Sequence, residues 1–383
     1  MNNYTFLCLD PKKTKRARLE NLFAPVGKTK WLKIVGLSFA RYPETKIRAK
    51  RALLQSKNLP RTKFFQFLKL HILSWQYNYT RKKLERENYH AAIVWNGLNG
   101  TRSVFSFAAK DAGIATIHCE LSPFSGKITV DPTGVNYNNC LPREIGPYMS
   151  WYNEYRSQEL LQQTKATIKA RRSNKTARSS DCVISMEEPF IFVPLQVPGD
   201  SQLRLFGRHF KSVPKLIKTL AELSHLIPDN WHIRIKEHPS APRVLSDEDI
   251  RLLPKQIIID NYNDTFEQVA KSKALITVNS SVGLEAMFYN KPVIALGFAF
   301  WAFGDLAYSC RSISQLRILL SEAENLAFNA LEREAFLSFL LERYFVDETT
   351  PTAQIIERIS GASTFLKTAF DVNVKHHKKL MGE

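Results

Sequence analysis

Apolar residues recur along the chain in short runs that are separated by longer segments with helical spacing. In the first half the strand-like runs are YTFLCL (4–9), WLKIVGL (31–37), AAIVWN (91–96) and IATIHCE (114–120). In the second half they are FIFVPL (190–195), WHIRIK (231–236), QIIID (256–260), ALITV (274–278) and PVIALG (292–297). Apolar strands that alternate with helices are typical of parallel sheets covered by helices on both faces.

The polar stretch ARRSNKTARSSD (170–181) separates the two series and has the composition of a linker. A chain of 383 residues is also too long for one ordinary core. We therefore predict an α/β protein with two doubly wound, Rossmann-like domains that face a central cleft. The predicted domains are 1–180 and 181–345, followed by a C-terminal helix and basic tail (346–383) for which packing against the N-terminal domain is one option.

Composition supports a folded cytoplasmic protein. The hydrophobic fraction of 44% and the 24 phenylalanines suffice for globular cores. The five cysteines have no paired spacing, so the sequence indicates neither a disulfide framework nor a zinc site. The first residues, MNNYTFLCL, lack the basic region and the long apolar stretch of a signal peptide.

The net charge of +18 calls for an anionic partner. Cations cluster in PKKTKRAR (11–18), between Lys165 and Arg178, and in KHHKK (375–379). The segment RTKFFQFLKLHILSWQYNYTRKK (61–83) predicts a long helix that mixes aromatic and basic residues. Such a helix either packs on the core with a solvated basic face or rests on an anionic membrane surface. Nucleic acid is the weaker alternative, because no nucleic-acid-binding motif accompanies the charge.

The stretch KEHPS (236–240) follows the strand pattern WHIRIK. Pro239 cannot continue a β-ladder, so the strand ends there and presents Lys236 and His238 at its carboxyl end. Ligands of open α/β sheets bind at that edge. A packed turn is the alternative for His238, and a solvated strand end is the alternative for Lys236.

A second stretch, TVNSSVGLEAM (277–287), runs from a buried strand into a helix. Asn279, Ser280 and Ser281 lie at the helix start, where free backbone N–H groups favour a phosphate. Helix capping by a serine is the alternative. Glu285, one turn into the helix, is a candidate for ribose hydroxyls or an ordinary surface residue.

Four ordered blocks carry a family resemblance: ELSPFSGKITVDPTGVNYNNCLPR (120–143), PLQVPGDSQL (194–203), KEHPS (236–240) and TVNSSVGLEAMFYNKPVIALG (277–297). Together they resemble the capsule-synthesis family of retaining β-Kdo glycosyltransferases, whose donor is the nucleotide sugar CMP-β-Kdo. Kdo is an eight-carbon keto-acid sugar. The resemblance covers about residues 90 to 300 and implies a GT-B-like fold.

The resemblance also implies roles for individual residues. Asp200 would be the nucleophile of a double displacement, Glu120 would accept the proton of the acceptor hydroxyl, and His238 would stabilise the departing phosphate. Asp131 and Asn136, in the turn-like DPTGVNYNN, would line the sugar pocket. Turn chemistry remains the alternative for Asp131, Asn136 and Asp200.

The resemblance therefore implies a metal-independent transfer of β-Kdo from CMP-β-Kdo to a glycan or glycolipid, in capsule or lipopolysaccharide synthesis. It needs no cofactor, involves no nucleic acid, and takes place peripherally on the cytoplasmic face of the inner membrane. One alternative changes the donor to CMP-sialic acid. Another is a non-catalytic, basic α/β protein that binds membranes or nucleic acid.

Overall fold

The computed structural model describes residues 4–155, 158–169, 184–349 and 351–371. The chain forms two compact units. Unit 1 comprises Met1–Pro142, Ser150–Tyr155 and Phe339–Glu383, and unit 2 comprises Arg143–Met149 and Arg156–Ser338. The predicted linker at 170–181 and the tail KHHKK lie outside the described residues.

Unit 1 contains a six-stranded sheet. Its strands are β1 (Tyr4–Leu9), β2 (Gly27–Leu32), β3 (Ala91–Trp95), β4 (Ala115–Leu121), β5 (Lys127–Asp131) and β12 (Phe345–Asp347), and they lie in the order β12-β5-β4-β3-β1-β2. Its helices are α1 (Lys13–Phe23), α2 (Thr45–Leu54), α3 (Lys63–Arg86), α4 (Gly100–Asp111), α14 (Thr352–Ile359) and α15 (Ala362–Phe370). Strands β2, β1, β3 and β4 are parallel, whereas β5 pairs antiparallel with both of its neighbours, β4 and β12.

Unit 2 contains a second six-stranded sheet, and all its strand pairs are parallel. Its strands are β6 (Phe190–Pro194), β7 (His232–Lys236), β8 (Ile257–Ile259), β9 (Ala274–Thr277), β10 (Val293–Ala295) and β11 (Tyr308–Ser309), and they lie in the order β11-β10-β9-β6-β7-β8. Its helices are α6 (Gln158–Thr167), α7 (Ser201–Phe206), α8 (Val213–Leu223), α9 (Asp247–Arg251), α10 (Thr265–Lys271), α11 (Ser281–Met287) and α12 (Ile313–Ser321). Helices α5 (Gly146–Glu154) and α13 (Ala330–Phe339) lie where the chain passes from one unit to the other.

The central strands β3, β6 and β9 are fully buried, since their side chains are packed on both faces of the sheets. In β1, Phe6 and Cys8 pack with Phe23 of α1, whereas Leu7 on the other face packs with Phe105 of α4. In unit 2, apolar side chains of the strands pack with helices α8 and α12. Within the described ranges, no helix combines the length and apolarity needed to cross a membrane.

Several predicted boundaries differ from the structure. The strand predicted at 31–37 lies at Gly27–Leu32 instead, because the chain leaves the sheet after Leu32 and Ser38 bonds to Trp75 on α3. The antiparallel strands β5 and β12 were not predicted, so the first sheet is mixed and not wholly parallel. Helix α6 groups with unit 2, whereas the predicted domain 1–180 includes it.

Candidate active site

Strand order brings three sequence-predicted segments together in unit 2. Strand β6 is hydrogen-bonded to β9 on one side and to β7 on the other, and all three strands are parallel. Each strand continues at its carboxyl end into a candidate segment: the Asp200 loop (195–200) after β6, the His238 loop (237–241) after β7, and the serine turn (278–281) after β9. The three segments therefore lie at one edge of the sheet, where ligands of such folds bind.

A reciprocal amide pair ties the Asp200 loop to the serine turn. The Gln196 side-chain nitrogen donates to Asn279 Oδ1 at 2.9 Å, and the Asn279 backbone N–H donates to Gln196 Oε1 at 3.1 Å. Asn279 Nδ2 also donates to the carbonyl oxygen of Gln202 at 3.0 Å. Gln196 was not predicted as a site residue. The available signal was an amide just beyond a buried strand, inside the block PLQVPGDSQL.

Asp200 is held by one of its two carboxylate oxygens. It precedes α7, and its Oδ1 accepts a hydrogen bond from the Gln202 backbone N–H at 2.9 Å. Ser201 Oγ also donates to Oδ1, at 3.4 Å. Among the residues that the structure describes, none donates to Oδ2. Oδ1 of the partly exposed Asp200 thus caps helix α7, while Oδ2 is available for other contacts.

The His238 imidazole is oriented by its own loop. The Ser240 backbone N–H donates to His238 Nδ1 at 3.1 Å, so Nδ1 is the acceptor nitrogen of the neutral ring. The proton of the neutral ring therefore lies on Nε2. Pro239, which follows β7, is partly exposed at the turn.

Lys236 holds a neighbouring loop, and its predicted phosphate contact stays a prediction. Its Nζ donates to the carbonyl oxygens of Asn261 and Asn263, at 3.0 and 2.6 Å. Next to it, the buried Glu237 accepts hydrogen bonds from the Val244 backbone N–H and the Asn261 side chain. These contacts brace the His238 loop, and the role of Glu237 was missed because the sequence alone does not reveal its burial.

The serine turn begins helix α11. Ser280 Oγ accepts a hydrogen bond from the Val282 backbone N–H at 3.3 Å, so this serine caps the helix. Ser281 follows as the first helical residue and is partly exposed. Gly283 packs against Trp301, because a Cβ atom there would lie 2.3 Å from the indole ring. Glu285 lies on the buried side of the helix.

Glu120 of unit 1 is held by three donors at the end of β4. Its Oε1 accepts hydrogen bonds from Trp95 Nε1 at 3.1 Å and from the Leu121 backbone N–H at 3.0 Å. Its Oε2 accepts from Asn96 Nδ2 at 2.7 Å. Lys15 Nζ lies 4.6 Å from the centre of the Trp95 ring; burial lowers the pKa of Lys15, although the charge of Glu120 opposes that shift. Glu120 is thus a fixed, partly exposed carboxylate beside a cation.

Asp131 is enclosed within unit 1, with 0% of its surface exposed. Its Oδ1 accepts from the backbone N–H groups of Thr133 and Gly134 and from the Thr133 hydroxyl, and its Oδ2 accepts from the Cys140 N–H and the Tyr344 hydroxyl. This environment corrects the predicted sugar contact, because a carboxylate with five donors and no exposure has a structural role. Asn136, at φ 55°, begins a short turn in the same loop and is partly exposed.

Part of the sequence matches a known protein family. The sequence profile described as "Capsule polysaccharide biosynthesis protein" matches residues 147–332, which include all three segments of unit 2. Residues 147–332 are similar to this capsule-synthesis family. The predicted resemblance to a capsule-synthesis family is thereby confirmed.

Two known proteins are similar to this chain in sequence. Protein FixF of Sinorhizobium fredii (strain NBRC 101917 / NGR234) is 28% identical over 269 residues, which are 70% of this chain and 63% of FixF. Capsule polysaccharide export protein KpsS of Escherichia coli is 24% identical over 165 residues, which are 41% of this chain and 40% of KpsS. The chain thus spans less than two thirds of either relative.

A solved structure shares the fold. The β-Kdo 2,4 transferase part of KpsC from Thermosulfurimonas dismutans superimposes with a TM-score of 0.52 at 14% identity, over 93% of this chain and 98% of that one. At this identity the likeness concerns the fold alone. The predicted GT-B-like class, an α/β protein with two Rossmann-like units, is confirmed.

Proposed function

We propose that this chain is a glycosyltransferase of capsule polysaccharide biosynthesis that moves β-Kdo from CMP-β-Kdo to a glycan or glycolipid, with retention of configuration. The family of residues 147–332 supports the biosynthetic setting. The likeness in fold to KpsC, which is a β-Kdo 2,4 transferase, supports the choice of sugar.

One observation carries the proposal: Asp200, His238 and Ser280 follow three neighbouring parallel strands at their carboxyl ends. A carboxylate, an imidazole and a hydroxyl at one sheet edge supply what transfer from a nucleotide sugar requires. The carboxylate can attack the sugar, and the other two groups can bind the phosphate that leaves.

Donor binding would use the His238 loop and the serine turn. His238 Nε2 donates to the bridging phosphate, where negative charge develops as the sugar departs. Asn279, Ser280 and Ser281 position the same phosphate, and Glu285 stands near the ribose. Lys236 acts indirectly, since its ammonium group holds the carbonyl oxygens of the 261–263 loop.

Retention requires two inversions at the anomeric carbon. In the first, Asp200 Oδ2 forms a bond to the anomeric carbon. The bond between that carbon and the phosphate oxygen breaks, and CMP departs with the electron pair. In the second, the acceptor hydroxyl oxygen replaces Asp200, and its proton passes to Glu120. Asp200 is released as a carboxylate. Asn136 contributes a hydrogen bond to the sugar.

We further propose that the transfer takes place peripherally at the cytoplasmic face of the inner membrane, where a glycolipid acceptor would be located. Because protein groups stabilise the phosphate in this scheme, we expect activity to persist in the presence of a metal chelator.

The test is CMP release from CMP-β-Kdo or CMP-sialic acid with a panel of short glycan and glycolipid acceptors, followed by product mass and anomeric assignment by NMR. The proposal predicts turnover with CMP-β-Kdo and a β-linked product. Turnover with CMP-sialic acid alone would favour the sialyltransferase alternative. If the protein binds neither donor, the non-catalytic alternative takes its place.

A further inference from the structure

Unit 1 carries an exposed apolar surface that its own fold does not use. We call it the aromatic face; its members are Ile34, Leu37, Phe39, Leu59, Phe64, Phe65, Phe67, Leu68 and Ile72, all of which are exposed. Exposure reaches 82% at Ile34, 76% at Phe39 and 63% at Phe64. Isolated apolar residues are common on protein surfaces, but a contiguous group of this kind marks an interaction site.

The aromatic face is continuous along helix α3. The ring centres of Phe67 and His71 are 4.1 Å apart, those of His71 and Trp75 are 6.0 Å apart, and those of Trp75 and Phe39 are 5.1 Å apart. This chain of rings connects the first turns of α3 to the segment 34–39.

The fold holds these side chains outward. Val35 is buried in the core, and Gly36 lies so close to α3 that a Cβ atom would be 2.6 Å from the Tyr79 ring. The Ser38 N–H donates to the Trp75 carbonyl oxygen at 3.1 Å. With Val35 and Gly36 against the helix, Ile34 and Leu37 are exposed to solvent.

The first two turns of α3 are largely exposed. Lys63, Phe64, Phe65, Phe67 and Leu68 are all exposed, and at about 100° per residue these positions span roughly half of the helix circumference. The buried residues of α3 begin only at Leu73. The aromatic end of α3 is therefore less buried than the rest of the helix, and its phenylalanines lie on the exposed side.

Basic residues surround the aromatic face. From residue 33 to residue 72 the sequence contains ten lysines and arginines and one acidic residue, Glu44. Lys57, Arg61 and Lys63 are exposed at the start of α3. Helix α2 adds Lys46 and Lys50, which are exposed. Aromatic rings next to lysines and arginines match a bilayer surface, whose boundary region accepts rings and whose anionic headgroups attract cations.

We propose that the aromatic face docks on a lipid bilayer that contains anionic lipids. Phe64, Phe65 and Phe67 enter the boundary between headgroups and acyl chains, and the neighbouring cations contact lipid phosphates. This inference identifies the surface that would carry out the membrane association of the proposed function. It is argued from the exposed residues alone and is independent of whether the chain transfers Kdo.

The first experiment is co-sedimentation with vesicles of phosphatidylcholine alone or mixed with phosphatidylglycerol. The variant Phe64→Ser/Phe65→Ser/Phe67→Ser loses side chains that the core does not hold, so it should fold normally. We expect its partitioning onto mixed vesicles to fall by at least about tenfold, because burial of even one phenylalanine has an effect of that order. A matched control, Leu252→Ser/Ile318→Ser/Leu331→Ser, removes three exposed apolar residues of unit 2 and should bind as the wild type does.

The charge contribution is tested with Lys57→Gln/Arg61→Gln/Lys63→Gln. We expect this variant to bind mixed vesicles several-fold more weakly and to lose most of the difference between mixed and neutral vesicles, which added salt should also reduce. Unchanged binding of the triple phenylalanine variant to mixed vesicles would overturn the proposal. A lipid-free dimer that the same variant converts to a monomer would also overturn it, since the face would then bind a second copy.

The vesicle result and the transferase result separate the two proposals. Transfer to a water-soluble acceptor should be the same in the phenylalanine variant and the wild type. If the wild type lacks transferase activity but binds vesicles through Phe64, Phe65 and Phe67, the docking surface stands and the proposed function fails. If the wild type transfers sugar but binds vesicles independently of these residues, the proposed function stands and the docking surface fails.

Discussion

The pair formed by Gln196 and Asn279 gives a direct test of whether the Asp200 loop and the serine turn act as one structure. Gln196→Ala removes the two reciprocal hydrogen bonds of 2.9 and 3.1 Å. Asn279→Ala removes the 2.9 Å bond, the 3.0 Å bond to the Gln202 carbonyl oxygen and a long 3.4 Å bond to the Phe298 carbonyl oxygen, although its backbone N–H remains. Each such bond contributes about 0.5 to 1.5 kcal/mol net to stability.

These values predict a non-additive double variant. Gln196→Ala should lower the free energy of unfolding by about 1 to 3 kcal/mol, the sum of the two bonds. Asn279→Ala should cost a similar amount. In the double variant the shared bond is lost only once, so the coupling energy should be about 0.5 to 1.5 kcal/mol.

The assay is urea unfolding of the wild type, both single variants and the double variant, with CMP binding measured by calorimetry on the same samples. Gln163→Ala is the matched control, because Gln163 is an exposed glutamine of unit 2 whose side chain, among the described residues, bonds to Glu159 on the same helix. It should change stability by a few tenths of a kcal/mol. Strict additivity of Gln196→Ala and Asn279→Ala, together with unchanged CMP binding, would refute the idea that the pair couples the two segments.

Three further predictions concern the proposed catalytic carboxylates, the His238 imidazole and the buried His118. Asp200→Asn should abolish transfer and the covalent Kdo adduct, whereas Glu120→Gln should accumulate that adduct in intact-protein mass spectra; undiminished turnover of Asp200→Asn would rule out the double displacement. His238→Ala should cost about 2 to 4 kcal/mol of transition-state stabilisation with an unchanged circular dichroism spectrum, and normal transfer would remove the phosphate role. Burial lowers the pKa of His118 to about 4 from 6.5, so the unfolded state binds more protons between these values. Stability should therefore decline by up to about 3 kcal/mol as the pH falls from 6.5 to 4, and His118→Gln should show a smaller decline in acid urea titrations.

The alternation of strands and helices was predictable because buried parallel strands appear in the sequence as continuous runs of apolar residues. The runs at β6, β7 and β9 gave strand positions to within a residue. The antiparallel strand β12 was not predictable in this way, since it is three residues long and pairs with β5 more than two hundred positions earlier in the chain. Pairing over such a distance is a property of the tertiary fold and leaves no local pattern.

The candidate site was predictable as a set of residue types but not in its detailed contacts. A strand end followed by a proline indicated where His238 would lie, and the structure gives its orientation through Ser240. For Lys236 and Asp131 the sequence left two roles open, because a charged residue beside a loop can bind a ligand or hold the loop together. Burial decides between these roles, and only the fold determines burial.

The route of the chain has a consequence for its synthesis. Strand β12 and helix α14 belong to unit 1, although residues 156–338 of unit 2 are made before them. The buried Arg358 of α14 donates hydrogen bonds to the carbonyl oxygens of Val130 and Tyr344, which joins the late segment to the end of β5. Unit 2 can therefore complete its core on the ribosome before unit 1 does, although unit 1 is begun first. Until β12 has been made, the edge of the first sheet at β5 is unpaired. A nascent chain stalled before residue 339 would expose β5, and that unpaired edge is where a chaperone would be needed most.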